Sequence, residues 1–181
     1  MKTYIPAITL SFVLLACRSD NTNAGDVMKL FVDEFYSGRA QSNFTAVVNR
    51  YTEWPDFVIG NATQIAKDRD IRLVAENGDE ARFEVRFKVI GEENLAKVEL
   101  GETEVVQTYR LRRRRGQWRI LQPIHIPCVS VEGELTRLRA AIENASDRIA
   151  KQDFTESTTR EYFETLIANA QASIALLERY R

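Results

Sequence analysis

Histidine occurs once in 181 residues, cysteine twice, proline four times and glycine eight. One histidine (His125) and two distant cysteines (Cys17, Cys128) cannot supply the His/Cys ligand sets of a structural zinc site. No cluster of Cys, His, Asp and Glu falls at metal-ligand spacing elsewhere, and no glycine-rich phosphate loop or nucleophile elbow is present. The sequence therefore implies neither a metal nor a cofactor. Long apolar runs are missing too. The stretch at residues 5–16 is 12 residues long, whereas a membrane-spanning helix takes about 20. Charge of one sign is also lacking: 25 basic side chains face 26 acidic ones, a balance that does not draw polyanions to the whole molecule. The expectation is no nucleic-acid partner.

What the chain does have begins at its first residue. "MKTYIPAITLSFVLLACRSDNTN" carries a positive start (Lys2), an apolar middle and a small residue before Cys17, the layout of a secretory signal peptide. Leu14-Leu15-Ala16-Cys17 resembles the lipobox of bacterial lipoproteins. That resemblance implies removal of residues 1–16 and lipidation of Cys17, with a polar tether at residues 17–25 too poor in apolar surface to order itself. Two or three acyl chains give stable membrane attachment. Arg18 is not the aspartate associated with inner-membrane retention, so the resemblance implies the periplasmic face of an outer membrane. In a Gram-positive cell the outer leaflet of the single membrane takes its place. Cys128 is then left alone, which excludes an intramolecular disulfide. It reads as a small buried hydrophobe, with pairing between chains as the alternative.

The mature chain divides into an α+β domain at residues 26–123 and a helical hairpin at 124–181. Val27, Phe31 and Phe35 recur at helical spacing after Asp26, read as the N-cap, and Gly38 closes that helix. Phe44, Val47, Val48 and Tyr51 continue the helical period up to Pro55. The middle is β. Strict alternation of Phe83, Val85, Phe87 and Val89 with charged residues follows an Asn77-Gly78-Asp79 turn, predicting a hairpin with one buried face. Val105, Tyr109 and Leu111, then Trp118 and Ile120, point inward on two further strands. Leu135, Leu138, Ile142, Ala145 and Ile149 form a heptad seam, and Phe163, Leu166, Ile167, Ala170, Ile174 and Leu177 a second stripe behind a Thr158–Glu161 capping box. The periodicity leaves open whether this hairpin folds onto the sheet.

Helices followed by a curved antiparallel sheet ending in Tyr109 to Ile120 resemble the nuclear-transport-factor-like superfamily, the cystatin-like cone fold. The resemblance implies N-terminal helices packed on a curved sheet; the C-terminal antiparallel helical hairpin departs from it. The superfamily includes isomerases, dehydratases and hydrolases with an acid/base group in the cone pocket. Asp56 and Tyr51 are the enzymatic candidates here, and Trp54, Phe83, Phe87, Tyr109 and Trp118 are core residues or, alternatively, pocket lining. His125 reads as structural. The preferred expectation is a lipid-anchored, non-catalytic envelope protein binding a protein partner, through the helices of residues 131–181, or an apolar ligand. A small cone-fold enzyme is the alternative.

"YRLRRRRGQWRI" straddles a predicted turn at Arg114-Arg115-Gly116-Gln117. Arg110, Arg112 and Arg119 fall on the wet face, and Glu92, Glu93, Glu99, Glu102 and Glu104 are expected to pair with this run across strands. Arg113, Arg114 and Arg115 form a solubilising tip or contact anionic headgroups.

Overall fold

The structure is a computed structural model and describes residues 23–53, 62–122, 127–155 and 158–181. Helix α1 (Ala24–Tyr36) buries Val27, Phe31 and Phe35 as their spacing requires, together with Met28 and Val32. Its cap is Asn23, whose side chain accepts the Asp26 amide at 2.8 Å. Asp26, expected as the cap, sits in the first turn, because starting at Asn23 also buries Ala24; there its charge complements the positive helix end. Gly38, at φ +79°, turns the chain into a short 3-10 segment (Arg39–Asn43) and then α2 (Phe44–Tyr51).

Five strands follow: β1 (Ala62–Asn77), β2 (Glu80–Asn94), β3 (Lys97–Arg114), β4 (Gln117–Gln122) and β5 (Val129–Ser130). They lie in the order β4-β3-β2-β1-β5, antiparallel except for the β1–β5 pair, and the sheet curls into a half-barrel. The turns at Gly78-Asp79 and Arg115-Gly116 stand where the sequence puts them. A third, Leu95-Ala96 between β2 and β3, is unannounced, since both residues are non-glycine at φ +50° and +63°. Left-handed backbone costs such residues about 1–2 kcal/mol each, so tertiary contacts must hold this turn.

Helix α3 (Val131–Lys151) is capped by Ser130, and α4 (Arg160–Leu177) by Thr159, which accepts the Tyr162 amide at 3.2 Å. The expected cap, Thr158, instead bonds Thr155 in the preceding turn, so the helix begins one residue later. The architecture is α+β and cone-like, with a helix pair appended.

Two cores share the sheet. In the first, α1 and α2 cover Phe83, Val85, Phe87, Val89, Tyr109, Leu111, Trp118 and Ile120. In the second, α3 and α4 pack Leu135, Leu138, Ala170 and Leu177 on Ile65, Ile90, Ala96 and Val98. Successive strand residues point to opposite sides, so Ala66 and Val89 enter the first core while their neighbours Ile65 and Ile90 enter the second. Register shifts at these points, between Ile65 and Ala66 and between Val89 and Gly91, bend the strands where the second core begins. The helix pair thus folds onto the sheet. Where it meets α1, Gly38 and Gly133 bring two backbones together: a Cβ on Gly133 would stand 2.9 Å from the Gly38 nitrogen.

The expected arginine–glutamate pairing is different in the structure. Register sets Arg110 opposite Arg82 and Arg112 opposite Glu80, well short of residues 92–104. Arg112 pairs with Glu80 at 2.8 Å and Arg114 with Glu53 at 3.2 Å. The named glutamates go elsewhere: Glu93 to Arg137, Glu99 to Lys97, Glu102 to Lys67, Glu104 to Arg86, and Glu92 to a hydrogen bond from Gln64.

Candidate functional site

Of the residues singled out from the sequence, Phe83, Phe87, Tyr109 and Trp118 are all buried in the first core. The Phe31 ring packs edge-on against Tyr109 at 6.0 Å and Tyr51 at 6.1 Å. The Tyr109 hydroxyl donates to Gln107 Oε1 at 2.5 Å, and burial pushes its ionisation well above the ordinary tyrosine range. Tyr51 is buried beside them. These aromatics belong to the first core. Trp54, Asp56, His125 and Cys17 lie outside the described residues. Cys128 is buried against Gln64 Oε1 at 3.7 Å, and burial raises its thiol to about 12. Arg113, Arg114 and Arg115 are exposed on and beside the β3–β4 turn.

A mainly apolar hollow lies away from the aromatic core. It is a groove of about 660 Å³ between the chain at residues 37–42 and the helix pair, within the range of small-ligand sites. Its apolar lining is Ala140, Ala141, Ala145, Phe163 and Leu166. Helical periodicity makes this wall. Ala141 and Ala145 share a face four residues apart, and small side chains there leave room that leucines would fill. The polar groups around it are mostly engaged. Arg39 meets Glu34 at 3.3 Å, Thr136 donates to the Glu132 carbonyl at 2.9 Å, and Ser42 donates to the Arg39 carbonyl at 3.0 Å. Among the described residues the exposed Asn144 side chain has no hydrogen-bond partner.

Arg137 forms one wall and reaches from the groove into the interior. Its Nε and Nη2 donate to the two oxygens of Glu134 at 2.9 and 2.6 Å, and Nη2 also meets Glu93 Oε2 at 2.6 Å. Glu93 in turn accepts the Ala96 amide, holding the left-handed turn. From α4, Ser173 completes the latch. Its hydroxyl donates to the Ala96 carbonyl at 2.9 Å and accepts the Val98 amide at 2.9 Å. Burial raises the Glu134 carboxyl above its ordinary 4.5, against the opposing hydrogen bond and charge of Arg137. Burial works against the Arg137 charge, but its bonds to Glu134 and Glu93 outweigh that and raise its ionisation. Two carboxylates clamped on one guanidinium form a structural lock.

Sequence reasoning missed this lock. Glu134 and Arg137 are three apart on a helix beside the seam, which is the only signal, and most such pairs sit in solvent. The groove was equally out of reach, because its walls come from segments about a hundred residues apart in the chain. Among the described residues no group of His, Cys, Asp and Glu is arranged to hold a metal ion, and no helix is long and apolar enough to cross a membrane. The chain matches no family model, no curated protein and no solved structure.

Proposed function

We propose that this chain is a lipid-anchored, non-catalytic protein of the bacterial cell envelope, held by Cys17 and exposed on the periplasmic side of the outer membrane. Its helix pair presents the groove along Ala141, Ala145, Phe163 and Leu166 to a protein partner or an apolar ligand. The observation that carries this reading is the groove itself: apolar, of ligand size, and edged by one unengaged amide. The lipobox-like Leu14-Leu15-Ala16-Cys17 supports the anchor. The enzymatic alternative requires an ionisable group poised in the cone. The buried carboxylates Glu93 and Glu134 are instead locked on Arg137 beside the second core.

The test keeps the chain whole, since removing the helix pair would expose Ile65, Ile90 and Val98. A photo-crosslinking residue at Ala141 of the full-length protein, activated in envelope fractions, captures the occupant; one at the exposed Gln171 serves as control. The expected result is a discrete adduct, protein or small molecule, at position 141 alone, lost in a Leu166→Asp background. Equal labelling at both positions overturns the groove as the binding site. Mass analysis of the N-terminal peptide tests the anchor. An unmodified Cys17 refutes it.

A further inference from the structure

The two ends of the sheet differ in charge. One end carries the turns at Gly78-Asp79 and Arg115-Gly116; the other carries Leu95-Ala96, where the helix pair sits. At the first end Arg82 stands directly opposite Arg110, and Arg112 opposite Arg119. Like charges facing each other across a ladder are destabilising. Arg112 and Arg114 each have one carboxylate, Glu80 and Glu53, but among the described residues Arg82, Arg110, Arg113 and Arg115 form no ion pair. The other end also sets like charges opposite each other, Glu92 and Glu99, but there they are acidic.

Helix α1 starts at this same end. Gly25 lies with Leu73 and Phe83 around one surface hollow, Asp33 meets Arg69 further along, and the Tyr36 hydroxyl reaches the Ala66 carbonyl at 3.5 Å. The helix therefore runs from the arginine end toward the middle of the sheet. Phe83 is three strand residues from Glu80, about 10 Å, so Asn23 emerges close to the arginines. Six peptide steps separate Cys17 from Asn23, a reach of at most about 22 Å even when fully extended. A lipid on Cys17 would keep this end of the domain within that distance of the bilayer. Leu73 and Val74, 46% and 37% exposed, add aliphatic surface to the same end.

We infer that the arginine end of the sheet is a docking surface for anionic phospholipid headgroups, which seats the domain on its membrane by that end. The orientation rests on the reading of Cys17 as the anchor; the arginine surface is tested separately from it. The full chain carrying Cys17→Ser, which cannot be acylated at that position, is floated with vesicles of phosphatidylcholine alone and of phosphatidylcholine mixed with phosphatidylglycerol. The ratio of binding to the two isolates the charge-dependent part, since any apolar contribution from residues 5–16 is common to both. Arg113→Ser, Arg114→Ser and Arg115→Ser together should lower that ratio about a hundredfold at low salt. An equal charge change away from the arginine end, Arg148→Ser, Lys151→Ser and Arg160→Ser, should leave it within a fewfold. An unchanged ratio in the tip variant, or an equal fall in both variants, overturns the inference. Circular dichroism of each variant confirms that it is folded. An unmodified Cys17 in the wild-type protein removes the anchor while the flotation ratio still decides the surface.

Discussion

Replacing Arg137 with methionine removes the cation from between two buried carboxylates and nearly preserves side-chain length. Glu134 is fully buried and Glu93 is 3% exposed, so neither gains water in exchange. Removing one partner of a buried ion pair costs about 3–5 kcal/mol, mostly as the penalty on the charge left behind. The melting temperature of a chain of this size should fall by about 10 °C, at about 2–4 °C per kcal/mol. The loss must also depend on pH. The folded-state Glu134 carboxyl already lies above its ordinary 4.5, so in this region the folded chain holds a proton that the unfolded chain has released. Stability from this group is therefore greatest below the unfolded value and declines as pH rises. Without Arg137, whose bond and charge oppose the rise, the decline steepens. Urea unfolding of wild type and Arg137→Met, followed by circular dichroism, should show the full loss at about pH 8 and a clearly smaller one at about pH 5. A loss below about 1 kcal/mol, or one equal at both pH values, would refute the claim that Arg137 neutralises buried charge.

Three further outcomes follow from the same geometry. Ser173→Ala leaves the Val98 amide and the Ala96 carbonyl buried without their partner, so about 1–3 kcal/mol is lost. Amide exchange at residues 93–98 should accelerate in that variant; unchanged exchange would show that the latch is idle. Gly133→Ala would gain about 1 kcal/mol on helix propensity alone, but its Cβ would meet Val129 Cγ2 at 2.8 Å and the Gly38 nitrogen at 2.9 Å. The net effect should be a loss of about 1–3 kcal/mol in thermal unfolding; a gain would show that α3 shifts freely over the 37–38 turn. With its thiol raised to about 12, Cys128 should resist a thiol-specific chromogenic reagent in native Cys17→Ser protein and react at once in denaturant. Rapid native labelling would place it at the surface.

The parts of the fold that were legible in the sequence obey one local period. Phe83 to Val89 alternate because one sheet face is dry, and Leu135, Leu138 and Ala145 repeat because one helix stripe is. Reading fails where a residue answers to something distant. Leu95-Ala96 has no turn chemistry of its own, and its conformation is imposed by Glu93 and Ser173. Ile65 and Ile90 break the alternation because the strands bend there. Glu134 and Arg137 are ordinary helix charges until the helix docks, and nothing local says that it will. The caps at Asn23 and Thr159 differ by one to three residues from the expected ones, since several polar side chains near each start qualify; burial of Ala24 favours Asn23, and the turn between Thr155 and Thr158 leaves the cap to Thr159.

The contact between Gly38 and Gly133 has a consequence for tracing ancestry. Each glycine is unremarkable in its own segment, one closing a helix and one inside the first turn of another. Their backbones touch, so a side chain at either would push the other away. A distant homologue that keeps this join must be small at both places together, and one that enlarges either must have moved the helix pair off the α1 turn. Kinship for this protein is therefore better sought in a pair of co-varying small residues than in any contiguous motif.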